Sequence, residues 1–144
     1  VFCTILNYLQ SKFDTLPSLA GLYVAIGEIC VEIAQQQEGT ILNFLLGFGE
    51  VIFAFSWPGA RKGSTTWNGL HYTLKKDGDR NGEDSDSDSD SDSSDSGGEP
   101  EVAVITTKPL TDDSSWTEFQ KGELILFVNG KIVSSANFYN VDRQ

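Results

Sequence analysis

ILNFLLGFGEVIFAFSW, running from Ile41 to Trp57, is the most apolar run of the chain, and its reading decides the fold. Asn43, Gly47 and Glu50 recur at helical spacing and would share one face of a helix. Leu42, Phe44, Leu45, Phe48, Ile52 and Phe55 would supply its apolar face. At 17 residues the run sits at the short edge of a membrane span. Its Phe and Ile content also allows Val51 to Phe55 to be a buried strand. Trp57-Pro58-Gly59 ends the segment in either case.

Toward the N-terminus the pattern is helical. Phe2, Ile5, Leu6, Leu9 and Phe13 form one apolar stripe, which predicts a helix over 2–13, broken by Asp14-Thr15-Leu16-Pro17. A second, more apolar helix is expected over 18–36, with a thin polar stripe of Glu28, Glu32 and Gln36. Gly39 is a natural stop, and Thr40 suits the N-cap of a following helix. The segments 18–36 and 41–57 would then form an apolar helical hairpin. Glu28 and Glu32 are like charges at i, i+4, which repel when both are ionised. Burial raises carboxylate pKa values, so Glu28, Glu32 and Glu50 would form a pH-sensing set in a membrane.

Beyond Gly59 the chain changes character. Residues 65–74 look like β structure with Asn68-Gly69 as a tight turn. Val102 to Thr107 is β-branched and strand-like. GELILFV and KIVSSA flank Asn129-Gly130, a strong hairpin signal over Glu123 to Ser135, and 138–141 could add a short edge. The expected fold class is α+β: N-terminal apolar helices packed on a small, mainly antiparallel β-sheet, with a disordered acidic Asp/Ser loop inserted. Residues 1–76 would carry the apolar helical segment and the first β elements. Residues 77–100 would be the spacer, and 101–144 the β segment that completes the same domain.

The acidity is local. Of 21 acidic and 10 basic residues, ten acids and only Arg80 among the bases fall in 77–100, which carries −9 of the net −11. That segment has no apolar side chain to offset its ordering entropy. The remainder is nearly neutral and has no basic stripe, which argues against nucleic-acid binding. Within the spacer, Asp77, Asp79 and Asn81 take the first ligand positions of a calcium loop, with Gly82 at its turn. The twelfth position is Asp88 in place of the longer bidentate Glu, so calcium is the one cofactor expectation, and a partial one. Catalytic signals are absent: there is no nucleophile elbow, P-loop or zinc-protease motif. His71, the sole histidine, has no partner frame and reads as structural. Cys3 and Cys30 would form a disulfide in a secreted protein, closing a loop worth roughly 3 kcal/mol. The absence of Met and the opening Val1 fit a removed leader.

The apolar, Gly-containing segment GTILNFLLGFGEVIFAFSWPG, followed by small β elements in an acidic protein, resembles the secreted yeast killer toxins of the salt-mediated kind. That resemblance implies a precursor cut at dibasic sites, for which Arg61-Lys62 and Lys75-Lys76 are candidates, and two pieces packed as one α/β unit. It carries over no site residue. The resulting expectation is a secreted, extracellular, non-enzymatic protein acting on a membrane surface or another protein through its apolar helices. Two alternatives remain: an acidic protein binding calcium or a basic partner through its Asp/Ser segment, and a coat subunit that self-associates through the apolar helix.

Overall fold

A computed structural model describes residues 1–59, 63, 65–76, 101–112 and 114–140. The fold is α+β, and the described residues form two helices followed by seven strands in two antiparallel sheets. Helix α1 spans Phe2–Lys12 and α2 spans Leu19–Gln35, close to the expected limits. The Ser18 hydroxyl caps α2 by accepting a hydrogen bond from the Gly21 amide at 3.1 Å. No helix among the described residues is long and apolar enough to cross a membrane.

The decisive segment is a β-hairpin, not a helix. β1 (Leu42–Phe48) pairs with β2 (Val51–Trp57) in continuous antiparallel register, Phe48 opposite Val51 and Leu42 opposite Trp57. That register leaves Gly49 and Glu50 as a two-residue turn. Gly49 stands at φ +59°, the left-handed first position that a type II′ turn requires and glycine supplies without strain. The expectation of strand structure over Val51 to Phe55 holds; the helical reading of the whole run, with its shared Asn43, Gly47 and Glu50 face, does not. Asn43 and Gly47 fall on one face of β1 by alternation, and Glu50 lies in the turn.

β6 (Glu123–Val128) and β7 (Lys131–Asn137) complete a four-stranded sheet in the order β1-β2-β6-β7. They meet at Asn129-Gly130, where both residues have positive φ, 50° and 78°, as a type I′ turn demands. β3 (His71–Lys76), β4 (Glu101–Thr106) and β5 (Thr117–Glu118) form the second sheet, in the order β4-β3-β5. Asn68-Gly69 makes a bend before β3 and closes no hairpin, because β3 pairs with β4 and β5 instead. Phe138 to Asn140 form a turn and add no edge strand.

Two apolar clusters separate the layers. Alternate residues of the four-stranded sheet, among them Phe53, Phe55, Trp57, Leu124 and Leu126, share a cluster with Ile5, Tyr23, Ile26 and Ile29 of the helices. The Tyr23 hydroxyl donates to the Leu124 carbonyl at 2.7 Å, and burial pushes its pKa up. The intervening residues Ala54, Ile125 and Phe127 join Leu70, Phe119 and Tyr72 in a second cluster toward the other sheet. The four-stranded sheet is therefore apolar on both faces. Its central strand β6 reads as an unbroken apolar run for that reason, as does much of the β1–β2 hairpin.

Candidate functional site

Three side chains brought together from distant parts of the chain mark the best-formed surface feature. Trp57 ends β2, Lys121 precedes β6, and Tyr139 follows β7. The Trp57 and Tyr139 rings meet edge to face at 4.9 Å. The Lys121 ammonium lies 4.6 Å from the first ring centroid and 5.0 Å from the second, a double cation–π contact. Gly122, at φ +80°, makes this possible: a Cβ there would fall 2.5 Å from that of Tyr139. The turn holding Lys121 is braced, since the Glu123 carboxylate accepts from the Gln120 amide at 2.6 Å and from the Ser135 hydroxyl at 2.7 Å.

Around this cluster lie two adjoining hollows of about 470 and 400 Å³, which share Glu38, Gly39, Trp57 and Lys121. Thr66, Trp67 and Asn68 line the larger one, and Tyr139 and the end of α2 line the smaller. Its walls are fixed by hydrogen bonds. Thr40 bonds back to the Gln37 carbonyl through its hydroxyl at 2.6 Å, and the Asn68 side-chain amide donates to the Gly59 carbonyl at 3.3 Å. Beneath them Asn43 donates to the Asn68 carbonyl at 2.6 Å and accepts from the Ser56 hydroxyl at 3.1 Å and the Trp57 amide at 3.2 Å.

The residues singled out from sequence lie elsewhere. The intended apolar face is divided: Phe44 packs 5.7 Å from Phe55 under the helices, while Leu45, Phe48 and Ile52 are exposed at the hairpin's outer end. Leu42 also joins the helix-side cluster. Glu28, Glu32 and Glu50 are solvent-exposed and do not converge. The hydrogen bond from the Lys12 ammonium lowers the Glu28 pKa, opposite to the expected rise. Such a carboxylate stabilises the fold above its unfolded pKa and loses that contribution as pH falls through the lowered folded value. Acid thus weakens this α1–α2 contact and does not prime a membrane switch. Asp77, Asp79, Asn81 and Asp88, the calcium candidates, lie outside the described residues. No cluster of three or more His, Cys, Asp or Glu suited to a metal occurs among the described residues.

Cys3 and Cys30 are free thiols, so the expected disulfide is not formed. Cys30 is fully buried on the helix side, and burial pushes its thiol pKa up to about 12. His71 belongs to the second sheet, on the far side of the four-stranded sheet from the helices. No Cys–His nucleophile pair can therefore form between them. His71 is buried, with Nε2 3.5 Å from the Glu118 carboxylate and Nδ1 without a partner. In the native protein a thiol reagent at pH 8 is expected to modify Cys3 rapidly and to leave Cys30 intact until the protein unfolds. Mass spectrometry after timed alkylation checks this; equal modification of both would contradict the burial of Cys30.

The family model described as "Glutamine amidotransferases class-II" matches residues 1–144, the full length of the chain. The chain belongs to the class-II glutamine amidotransferases. Among curated members of this family, a Haemophilus influenzae protein named "Putative glutamine amidotransferase" is 33% identical over 135 residues, which cover 92% of this chain and 41% of that protein. A Pseudomonas aeruginosa crystal structure titled as a predicted glutamine amidotransferase superposes with a TM-score of 0.63 at 24% identity, over 92% of this chain and 48% of that one. That superposition speaks to the fold. The chain thus spans less than half the length of either amidotransferase. Membership overturns the killer-toxin resemblance and the membrane-active function built on it. It equally displaces the calcium-binding and coat-subunit alternatives, and the expectation of a non-enzyme. The apolar hairpin that suggested a toxin is a sheet element, with β2 buried and β1 at the partly exposed edge of the sheet.

Sequence reasoning missed the groove because its members come from separate regions. Trp57 was read as the end of an apolar run, and Lys121 and Tyr139 carried no motif. The usable signal was Trp57-Pro58-Gly59 beside a second Trp at 67, two aromatic rings close to polar turn residues.

Proposed function

We propose that this chain is part of an enzyme that releases the side-chain amide nitrogen of glutamine and passes it to an acceptor. The match of its full length to the class-II glutamine amidotransferases carries this reading. The chemistry requires a nucleophile to attack the amide carbonyl and expel ammonia, then water to free glutamate from the enzyme. Cys30, buried with a high pKa, is unsuited to that role, and Cys3 is exposed with the sheet standing between it and His71. The described residues accordingly act in this reading as framework and ligand-facing wall, not as the attacking group.

Residues 77–100 we infer to be an insertion between β3 and β4. These strands pair without interruption from His71 opposite Thr106 to Lys76 opposite Glu101, at the borders of the acidic segment. On that reading 1–76 and 101–144 complete one unit, with the apolar helices packed on the sheet they share.

A glutamine-shaped chloroketone tests the activity. The full-length gene product is expected to take up one equivalent, with labelling suppressed by L-glutamine and little affected by L-asparagine. Peptide mapping should place the adduct away from Cys30. Labelling that glutamine does not suppress would overturn the proposal.

A further inference from the structure

The groove beside Trp57 holds two charges of opposite sign that do not neutralise one another. Lys121 and Glu38 both line its two hollows, yet neither belongs to an ion pair within 4.0 Å among the described residues. Both are exposed, and each stands on a turn that backbone hydrogen bonds hold in place. Aromatic surfaces line the same hollow: Trp57, which also carries the Lys121 ammonium, and Trp67, 38% exposed at the wall. An exposed indole and two charges that form no ion pair among the described residues line a cavity of about 470 Å³, a recognition surface of defined polarity. A ligand that filled it would need a negative group for Lys121, a positive group for Glu38 and an apolar or amide portion for the rings. A free α-amino acid has all three within a few bonds.

We propose that this groove binds a free α-amino acid. Lys121 pairs with its carboxylate, Glu38 with its ammonium group, and its side chain lies against Trp67. Neither cysteine lines the site, and binding is proposed independently of the amide-transfer activity and can be measured without turnover. The cation–π contacts hold the Lys121 ammonium in place before the ligand arrives, which lowers the ordering cost of an otherwise flexible side chain. A small ligand at so open a site should bind in the millimolar to high-micromolar range.

Tryptophan fluorescence during titration with L-leucine and L-glutamine tests this directly, with N-acetyl-L-leucine and L-leucinamide as probes that each lack one charge. The expected result is a saturable change with both amino acids. Lys121→Gln and Glu38→Gln should each weaken binding about tenfold, equivalent to ~1.4 kcal/mol. N-acetyl-L-leucine should bind weakly and be indifferent to Glu38→Gln; leucinamide should be indifferent to Lys121→Gln. Both side chains are exposed, and circular dichroism confirms that the variants fold. No saturable change up to about 10 mM, or affinities that neither substitution alters, would overturn the proposal. Glutamine turnover with a silent groove would leave the enzymatic reading standing and reject this one; amino-acid binding without turnover would do the reverse.

Discussion

Replacing Phe55 with Ala is expected to destabilise the protein by about 3–5 kcal/mol, the range for deleting a fully buried aromatic ring. Phe55 is 0% exposed at the centre of β2. It stands opposite Phe44 on one side and Leu124 on the other, and shares its cluster with Ile26 and Ile29 of α2. Removing the ring empties the contact between the sheet and the helices, and a β-strand paired on both sides cannot collapse to fill it. For a chain of this size the loss corresponds to a fall in Tm of about 10–16 °C. Phe55→Leu keeps most of the volume and should cost under about 1.5 kcal/mol. Urea denaturation measures both. Were the segment a surface helix, the Ala variant would unfold at nearly the wild-type midpoint.

Asn43→Ala is expected to cost about 2–4 kcal/mol, although it removes only a small polar side chain. The amide of Asn43 serves three partners: the Ser56 hydroxyl, the Trp57 amide and the Asn68 carbonyl. Ser56 is 0% exposed and its hydroxyl in turn accepts from the Leu70 amide at 3.0 Å, so the loss propagates toward the second sheet. Leaving such buried groups unsatisfied costs about 1–3 kcal/mol each, partly recovered if water enters. Asn43→Asp is the discriminating variant. It keeps an acceptor for Ser56 and Trp57 but sets a carboxylate against the Asn68 carbonyl, so it should be nearly as damaging as Ala. Thermal unfolding gives the loss, and faster hydrogen exchange at the Leu70 amide shows where it acts. An Asp variant as stable as wild type would mean that the Asn68 contact contributes nothing.

The two helices and the β6–β7 hairpin were legible because each has one dominant local signal. Phe2, Ile5, Leu6 and Leu9 keep a 3.6-residue period, of which α1 turns Ile5 and Leu9 into the core and leaves Phe2 and Leu6 exposed. Asn129-Gly130 offers two residues that tolerate positive φ at the one place a two-residue turn needs them. Ile41 to Trp57 misled for the opposite reason. Its inner strand β2 is covered by helices on one face and meets the second cluster through Ala54 on the other, while the edge strand β1 carries exposed Leu45 and Phe48, so apolar residues occupy both faces and the two-residue alternation disappears. With the alternation hidden, Asn43, Gly47 and Glu50 mimicked a helical stripe by chance spacing. Gly49 was the overlooked cue: a glycine followed by an acidic residue, midway between two seven-residue apolar stretches, marks a turn. β5, with two residues, is too short to leave a pattern. The groove was illegible because Glu38, Trp57 and Lys121 meet only through sheet pairing between segments far apart in the chain. The family was hidden more deeply, since its signal is spread over packing residues and turns and forms no short motif.

The most direct test of the central claim is the fate of the amide nitrogen. The full-length gene product, supplied with L-glutamine carrying ¹⁵N in its side-chain amide, can be followed by NMR under conditions where the protein is shown to be folded. The account predicts that the label leaves glutamine and appears as ammonia or in an acceptor, with one glutamate formed for each nitrogen released. Label that remains in the glutamine side chain at every protein concentration, with no glutamate formed, would contradict it.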